Sequence, residues 1–146
     1  MQLTIFTDYG LRSLMFLAAQ PDKVCSVREI ADHYGISRNH LVKVVHRLAQ
    51  LGFITSSKGK GGGIRLACDA NKLKIGDLVR KLEPNMQIVE CFDRETNTCK
   101  IVSACRLKHF LSKASQAFLD VLNEYSLADA VKDRSLFLNK LGVESR

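Results

Sequence analysis

Before residue 83, hydrophobic positions recur every three or four residues in four short stretches, the periodicity of an amphipathic α-helix. The first stretch follows Thr7, whose side chain suits a helix N-cap, and it ends before Pro21. The fourth covers residues 74–82 and ends before Pro84, because a proline disfavours helical backbone in the residue that precedes it. The sequence therefore predicts a small helical domain at the beginning of the chain.

The second and third stretches, residues 26–35 and 37–52, form a pair of short helices joined by a tight turn that contains Gly35. This arrangement is typical of a helix-turn-helix, whose second helix lies in the major groove with its N-terminal residues nearest the base edges. The alternative is an ordinary three-helix core with a solvated polar face. The predicted core residues of the third helix are Leu41, Val44, Val45 and Leu48. Its predicted DNA contacts are Ser37, Arg38, Asn39, His40 and Lys43.

A β-hairpin is predicted directly after this pair, with strands at residues 53–55 and 64–66 and the tip SSKGKGGG between them. A hairpin in this position makes the domain a winged helix. Glycines at the tip allow the backbone to approach a phosphate or to enter the minor groove. The glycine run is not a P-loop, because it lacks the GK[ST] ending and leads into a strand. The wing residues predicted to contact DNA are Lys58, Lys60 and Arg65.

A long helix is predicted over residues 103–125, where apolar residues stand at positions 107, 111, 114, 118, 121 and 125. This spacing is a heptad pattern, and a small domain has little surface of its own to cover such a stripe. A two-fold partner helix is the predicted cover, since C₂ dimers are the commonest oligomers. The alternative is packing on the chain's own winged helix. Ser126 is predicted to cap a short terminal helix.

The predicted fold class is mainly α with a small β-hairpin wing: a winged helix-turn-helix followed by a long C-terminal dimerisation helix. Three regions are predicted within it. Residues 1–83 form the DNA-binding domain, residues 84–105 form a cysteine-rich cluster-binding loop, and residues 106–146 form the dimerisation helix and the C-terminal segment.

The charge distribution favours a polyanionic partner. Of the net charge of +7, residues 1–83 carry 13 Lys and Arg against 7 Asp and Glu, whereas residues 84–146 carry 9 against 8. Lysine and arginine that neutralise phosphates release counterions, so double-stranded DNA is the predicted partner of the first part. The chain begins without a secretory leader pattern and has no apolar run long enough for a membrane span, so we expect a cytoplasmic protein.

Three of the five cysteines, Cys91, Cys99 and Cys105, fall within fifteen residues of a mostly polar stretch. Clustered thiolates in a reducing compartment suit zinc, Cu(I) or an iron–sulfur cluster. A mononuclear zinc site usually has more closely spaced pairs, so the wider gaps favour an iron–sulfur cluster. Three cysteines leave a four-iron cluster one ligand short.

Other interpretations of the cysteines remain open at this point. The cluster of three could be a redox thiol site or a set of inert side chains. Cys25 and Cys68 stand singly in or beside the winged helix and are predicted to be packing residues. A thiol oxidoreductase is disfavoured, because the chain has no CxxC pair, nucleotide motif or acid–base constellation, and the prediction is that the protein is not an enzyme.

The motifs FTDYGLR, SRNHLVKV, GKGGGIRL, IGDLVRKLEP and ACRLK occur in this order, and together they resemble the Rrf2-type iron–sulfur regulators, in particular the nitric-oxide-sensing repressors of that family. The resemblance covers about residues 1–127. It implies a homodimeric winged-helix repressor crossed by a long dimer helix, with one [4Fe–4S] cluster per subunit, or alternatively [2Fe–2S].

The resemblance also implies a ligand set. Cys91, Cys99 and Cys105 match the three cysteine positions, and Asp8 matches an aspartate that serves as the fourth ligand from the other subunit. A related regulator uses a histidine three residues after the last cysteine; that position is Lys108 here and His109 follows it, so Asp8 ranks above His109. The gap between Cys91 and Cys99 is wider than is common in the family.

The function predicted from these features is a nitric-oxide-responsive transcriptional repressor. It binds operator DNA while its cluster is intact and releases the DNA when nitric oxide attacks the cluster. The alternative is a zinc- or thiol-based redox-sensing repressor with the same DNA-binding domain.

Overall fold

A computed structural model describes residues 2–143, and within them the chain forms seven α-helices and one two-stranded antiparallel sheet. The mainly helical fold class with a β-hairpin is confirmed. No helix in this part of the chain is both long and apolar enough to cross a membrane. The elements are α1 (Ile5–Ala18), α2 (Val27–Tyr34), α3 (Arg38–Gln50), β1 (Ile54–Ser57), β2 (Gly63–Leu66), α4 (Ile75–Leu82), α5 (Arg106–Asn123), α6 (Leu127–Ala130) and α7 (Arg134–Lys140).

Helix α1 begins at Ile5, and its N-cap is Thr4 rather than Thr7, so the predicted start was wrong. The Thr4 hydroxyl oxygen accepts a hydrogen bond from the Thr7 N–H over 3.2 Å, and Thr7 itself is fully buried inside the helix. The Thr4 N–H and hydroxyl both donate to the Glu83 carboxylate, at 3.0 and 3.1 Å. Glu83 lies 79 residues away, so the contact that selects Thr4 is invisible in the local sequence.

The helix-turn-helix has the predicted form. Ser26 caps α2 by accepting a hydrogen bond from the Glu29 N–H over 3.0 Å, and Gly35 ends the helix at a φ of 63°. A left-handed φ carries little penalty for glycine and a large one for most other residues, so Gly35 allows the tight turn into α3. The predicted inward side of α3 is confirmed, since its four core residues are all buried against α1 and α2.

The wing pairs β1 with β2 in the register Ile54 with Leu66 and Thr55 with Arg65. Cys25, between α1 and α2, forms a separate antiparallel bridge with β2: its N–H donates to the Ile64 C=O over 2.9 Å, and its C=O accepts from the Ile64 N–H over 2.7 Å. Gly63 must stay small for this pairing, because a Cβ there would lie 2.5 Å from the Cys25 carbonyl oxygen. The wing is therefore hydrogen-bonded through β2 to the segment between α1 and α2.

After α5 the chain returns to the core. Lys74 and Ser126 form an antiparallel bridge that brings the start of α4 beside the end of α5. Ser126 then caps α6 through a capping box with Asp129, as predicted for the start of a terminal helix. Leu127 and Val131 are buried in the same hydrophobic cluster as α1. The division at residues 83 and 105 stays a prediction, and the core extends across it.

Candidate nucleic-acid interface and cysteine loop

The predicted DNA contacts form an exposed polar face of α3, here called the reading face and defined by Ser37, Arg38, Asn39, His40 and Lys43. All five side chains are exposed. The Ser37 hydroxyl makes no capping hydrogen bond. Among residues 2–143, none of the five takes part in a side-chain hydrogen bond or an ion pair, although Arg12, Lys23 and Arg28 elsewhere in the chain are ion-paired. Side chains without protein partners keep their donors available to an incoming ligand.

One residue on this surface was not predicted from the sequence. Val42 is 48% exposed, whereas the other large apolar residues of α3 are buried. Positions 38 and 46 lie one helical turn before and after it, so Val42 lies in the middle of the exposed polar surface. The signal was present in the sequence, because position 42 falls outside the buried set at 41, 44, 45 and 48. Farther along, His46 is hydrogen-bonded to Gln50 at 3.0 Å.

The wing tip places Lys58 and Lys60 at the far end of the hairpin, and Arg65 lies on β2; all three are exposed. The tip itself requires glycine. Gly59 and Gly61 have φ values of 96° and 82°, and a Cβ on Gly62 would lie 2.4 Å from the Ser57 carbonyl oxygen. The glycines therefore make a compact tip that presents the two lysines.

The three clustered cysteines lie on the segment between α4 and α5, and each is partly exposed and free. Cys91 is in a short 3₁₀ turn at Glu90–Phe92, and Cys99 donates its N–H to the Asn97 side-chain oxygen over 3.0 Å. Cys105 is the N-cap residue of α5, so the helix begins three residues later than predicted. No three metal-binding side chains converge within residues 2–143 of a single chain.

The donor set nevertheless fits an iron–sulfur cluster by its chemistry. The segment carries three unbridged thiols that are neither fully buried nor fully exposed, and thiolates are the ligands that such clusters require. It is mostly irregular, with turns and Asx hydrogen bonds such as those from the Glu95 N–H and the Cys99 N–H. Backbone of this kind can adjust to bring the three sulfur atoms together.

The two candidates for a fourth ligand have different surroundings. Asp8 lies in the first turn of α1 and forms an ion pair with Arg12, at 2.9 Å from Nη2 and 3.1 Å from Nε. His109 is exposed on α5 and lines an open cavity of about 660 Å³ together with Asp93, Arg94 and Lys108. Asp8 is therefore separated along the chain from the cysteine segment, whereas His109 lies close to it.

The two single cysteines differ from one another. Cys25 is fully buried, as predicted, and burial raises the pKa of its thiol to about 11. Cys68 is exposed, so its prediction as a packing residue was wrong. It lies just beyond β2, in a bend where the chain leaves the sheet and no element covers it.

Helix α5 presents a wide apolar face to solvent. Leu107, Phe110, Val121 and Tyr125, the last just beyond its end, are between 53% and 59% exposed. Leu119 is the one buried residue of this helix, which contacts α4 on that side. In the single chain, α5 therefore does not bury its apolar stripe against its own winged helix, which was the alternative prediction.

A winged helix-turn-helix with exposed basic side chains on its second helix is the architecture of a DNA-binding transcriptional regulator. Residues 3–133 match the Rrf2 family, described as iron-dependent transcriptional regulators, and the chain belongs to this family. Its members are regulators rather than enzymes.

Two curated relatives carry the same name, HTH-type transcriptional regulator NsrR. The chain is 50% identical to the protein of Bacillus subtilis (strain 168) over 145 residues, which cover 99% of both chains. It is 52% identical to the protein of Shouchella clausii (strain KSM-K16) over 132 residues, which cover 90% of this chain and 89% of the relative.

Solved structures share the fold. IscR of T. potens superposes with a TM-score of 0.73 at 25% identity, covering 91% of this chain and 88% of that one. CymR (YrzC), the global cysteine regulator of B. subtilis, superposes with a TM-score of 0.72 at 23% identity, covering 90% and 97%.

Proposed function

We propose that the protein is a homodimeric repressor that holds operator DNA while its iron–sulfur cluster is intact and releases the DNA when nitric oxide attacks the cluster. The observation that carries this proposal is the position of the three free thiols, on the segment that leads directly into the exposed helix α5. The name shared by the two curated relatives, NsrR, favours the same role.

Cys91, Cys99 and Cys105 would hold the cluster through their thiolates. When bound, the cluster would supply the iron atoms that react with nitric oxide. The protein supplies the ligands, and the hairpin and α3 supply the DNA contacts. A [4Fe–4S] cluster needs a fourth ligand, and a [2Fe–2S] cluster is the other nuclearity that the same cysteines could serve.

Asp8 of the partner subunit is the proposed fourth ligand. Within one subunit its carboxylate is paired with Arg12, but both side chains are 44% exposed. An exposed pair of this kind contributes at most about 1 kcal/mol, so the carboxylate can leave Arg12 for a metal at little cost. Oxygen is a poor match for a soft iron–sulfur centre, so this ligand would be the first to give way.

Dimerisation through α5 would place this carboxylate within reach. The exposed apolar face of α5 has the width that a partner helix covers, and a C₂ interface would pair each α5 with its copy. Association of two chains would bring the first helix of one subunit toward the cysteine segment of the other. In this arrangement each cluster links the two subunits.

Close packing gives a route from the cysteine segment to the reading face. A Cβ on Gly76 would lie 2.5 Å from the Leu119 carbonyl oxygen, so α5 and α4 cross almost backbone to backbone. At the other end of α4, Leu82 lies against Gly10 of α1. Helix α1 in turn contacts α3. A shift at the start of α5 would therefore move the reading faces away from operator spacing, since half-sites are matched to the dimer geometry.

The test is anaerobic purification of the wild-type protein and of variants in which each clustered cysteine is replaced by alanine. The absorption spectrum, iron content, native mass and operator affinity are then compared before and after nitric oxide. We expect a brown wild-type dimer that loses colour and DNA affinity together, and colourless, weakly binding Cys91→Ala, Cys99→Ala and Cys105→Ala proteins. Cys68→Ser is the matched control and should stay brown. A colourless wild-type protein that holds zinc would instead establish the zinc- or thiol-based repressor.

A further inference from the structure

Val42 is a half-exposed apolar side chain on a helix whose other large apolar side chains are buried. It is 48% exposed, while Leu41, Val44 and Val45 on the same helix are buried. Valine is also a weaker helix former than alanine, lysine or glutamate, because its branched side chain loses rotamer freedom against the preceding turn. Val42 is therefore not part of the buried core, and helix propensity does not favour a valine at this position.

The neighbours of Val42 limit what can cover it. Arg38 and Asn39 lie one turn toward the helix N-terminus, Lys43 follows directly, and His46 lies one turn further on. All four are exposed. Val42 is thus a single apolar side chain bordered by two cations and two hydrogen-bonding groups. Such a surface suits a polyanion that carries one small apolar group at the point of contact.

The major groove of DNA offers such a group. Among the base edges in that groove, hydrogen-bond donors and acceptors predominate, and the 5-methyl of thymine is the apolar exception. A recognition helix lies in this groove with its N-terminal half nearest the bases. Position 42 falls in that half of α3, which runs from Arg38 to Gln50.

We propose that Val42 is a specificity-determining residue that packs against the 5-methyl group of one thymine in each operator half-site. This inference rests on the proposed DNA-binding function and adds a base preference to it. The basic side chains around Val42 hold the helix against the phosphates. Val42 then favours thymine over cytosine, and thymine over uracil, at one position.

The experiment uses the dimeric holoprotein and a duplex that the wild-type protein selects from a random-sequence pool. Each thymine of that duplex is replaced in turn by uracil, which removes the methyl group and leaves every hydrogen-bonding group in place. Affinity is measured by fluorescence anisotropy at one fixed salt concentration. At one thymine per half-site, we expect the replacement to weaken wild-type binding about fourfold. This factor corresponds to the loss of one buried methyl group from the interface.

Variants show whether Val42 is responsible. Val42→Ser removes both γ-methyl groups from an exposed site, and its binding should no longer distinguish thymine from uracil at that position. Val42→Thr keeps one methyl and should retain part of the difference. Lys43→Ala is the matched control: it should bind more weakly to every duplex and keep the full difference, because it alters a charge and leaves the valine in place.

The possible results separate the two proposals. If the holoprotein selects no duplex, DNA binding itself fails and the role of Val42 fails with it. If it selects a duplex but no uracil replacement weakens binding, Val42 makes no methyl contact and this inference is wrong while the repressor function stands. The inference is equally wrong if Val42→Ser shows the same sensitivity to uracil as the wild type. If Val42→Ser does not fold, Val42→Thr, which is nearly the same size as the wild-type side chain, supplies the comparison, and full wild-type sensitivity to uracil in that variant would contradict the inference.

Discussion

Asn123 on α5 and Gly76 on α4 are so close that no side chain fits between them. A Cβ on Gly76 would lie 2.5 Å from the Asn123 side-chain oxygen, which accepts a hydrogen bond from the Asp77 N–H over 2.9 Å. The same Cβ would lie 2.5 Å from the Leu119 carbonyl oxygen. This contact joins α5 to the DNA-binding domain, and the proposed signal depends on the rigidity of the contact.

Gly76→Ala is expected to destabilise the protein by about 1–3 kcal/mol, because backbone oxygen must move to make room. Gly10→Ala is the matched control. Its new Cβ would meet the end of the Leu82 side chain at 2.9 Å, which can move, and alanine is the better helix former. Chemical denaturation of both variants measures the difference, and equal stability of the two would contradict a rigid contact between α4 and α5.

Val121→Glu should convert the dimer into a monomer. Val121 is 53% exposed on the apolar face of α5, and a glutamate at a two-fold interface would bury two like charges close together. Leu136→Glu is the control, since Leu136 is 55% exposed on a different helix, α7. Light scattering after gel filtration should give half the wild-type mass for Val121→Glu alone. A dimeric Val121→Glu protein would place the interface elsewhere.

Lys58→Ala and Lys60→Ala should weaken DNA binding for all sequences and reduce its dependence on salt. Each lysine removed from a phosphate contact lowers the slope of log affinity against log salt by about one. Lys140→Ala, an exposed lysine on α7, serves as the control and should keep the wild-type slope. Titrations of one duplex at several salt concentrations measure the slopes; unchanged slopes in both wing variants would remove the wing from the interface.

Asp8→Ala should change the cluster absorption spectrum, speed up the reaction with nitric oxide and lower DNA affinity. The physical reason is that the cluster would lose its cross-subunit ligand. His109→Ala should stay near wild type in all three measurements, because the proposed fourth ligand is Asp8 and His109 only lines an open cavity. The reverse pattern, with a silent Asp8→Ala and an altered His109→Ala, would assign the ligand to His109.

Cys25 should resist alkylation by iodoacetamide at pH 8 in the folded protein, while Cys68 reacts. The thiolate is the nucleophile, and burial raises the pKa of Cys25 to about 11, so its thiol stays protonated at pH 8 and becomes reactive only as the pH approaches that value. Cys68 is exposed and supplies the comparison. Mass spectrometry of peptides measures both sites; rapid labelling of Cys25 without denaturant would show that the base of the wing opens.

The sequence by itself determined the helix-turn-helix and the wing. Ser26 and Gly35 are local signals, because a cap or a left-handed turn depends on residues within one helical turn. Apolar spacing likewise identified the buried side of α3, since a helix repeats its face every three to four residues. The same repeat predicted that the basic residues of α3 lie on its exposed face.

Only the tertiary structure decided which neighbours these elements have. Glu83 selects Thr4 over Thr7 as the cap of α1, and Ile64 makes Cys25 part of the wing. Cys68 and Cys25 look alike in sequence, yet one is exposed and the other buried, because burial depends on elements that are distant in the chain. The hydrophobic pattern of a segment does not indicate which distant residue it contacts, so only the folded structure shows such a contact.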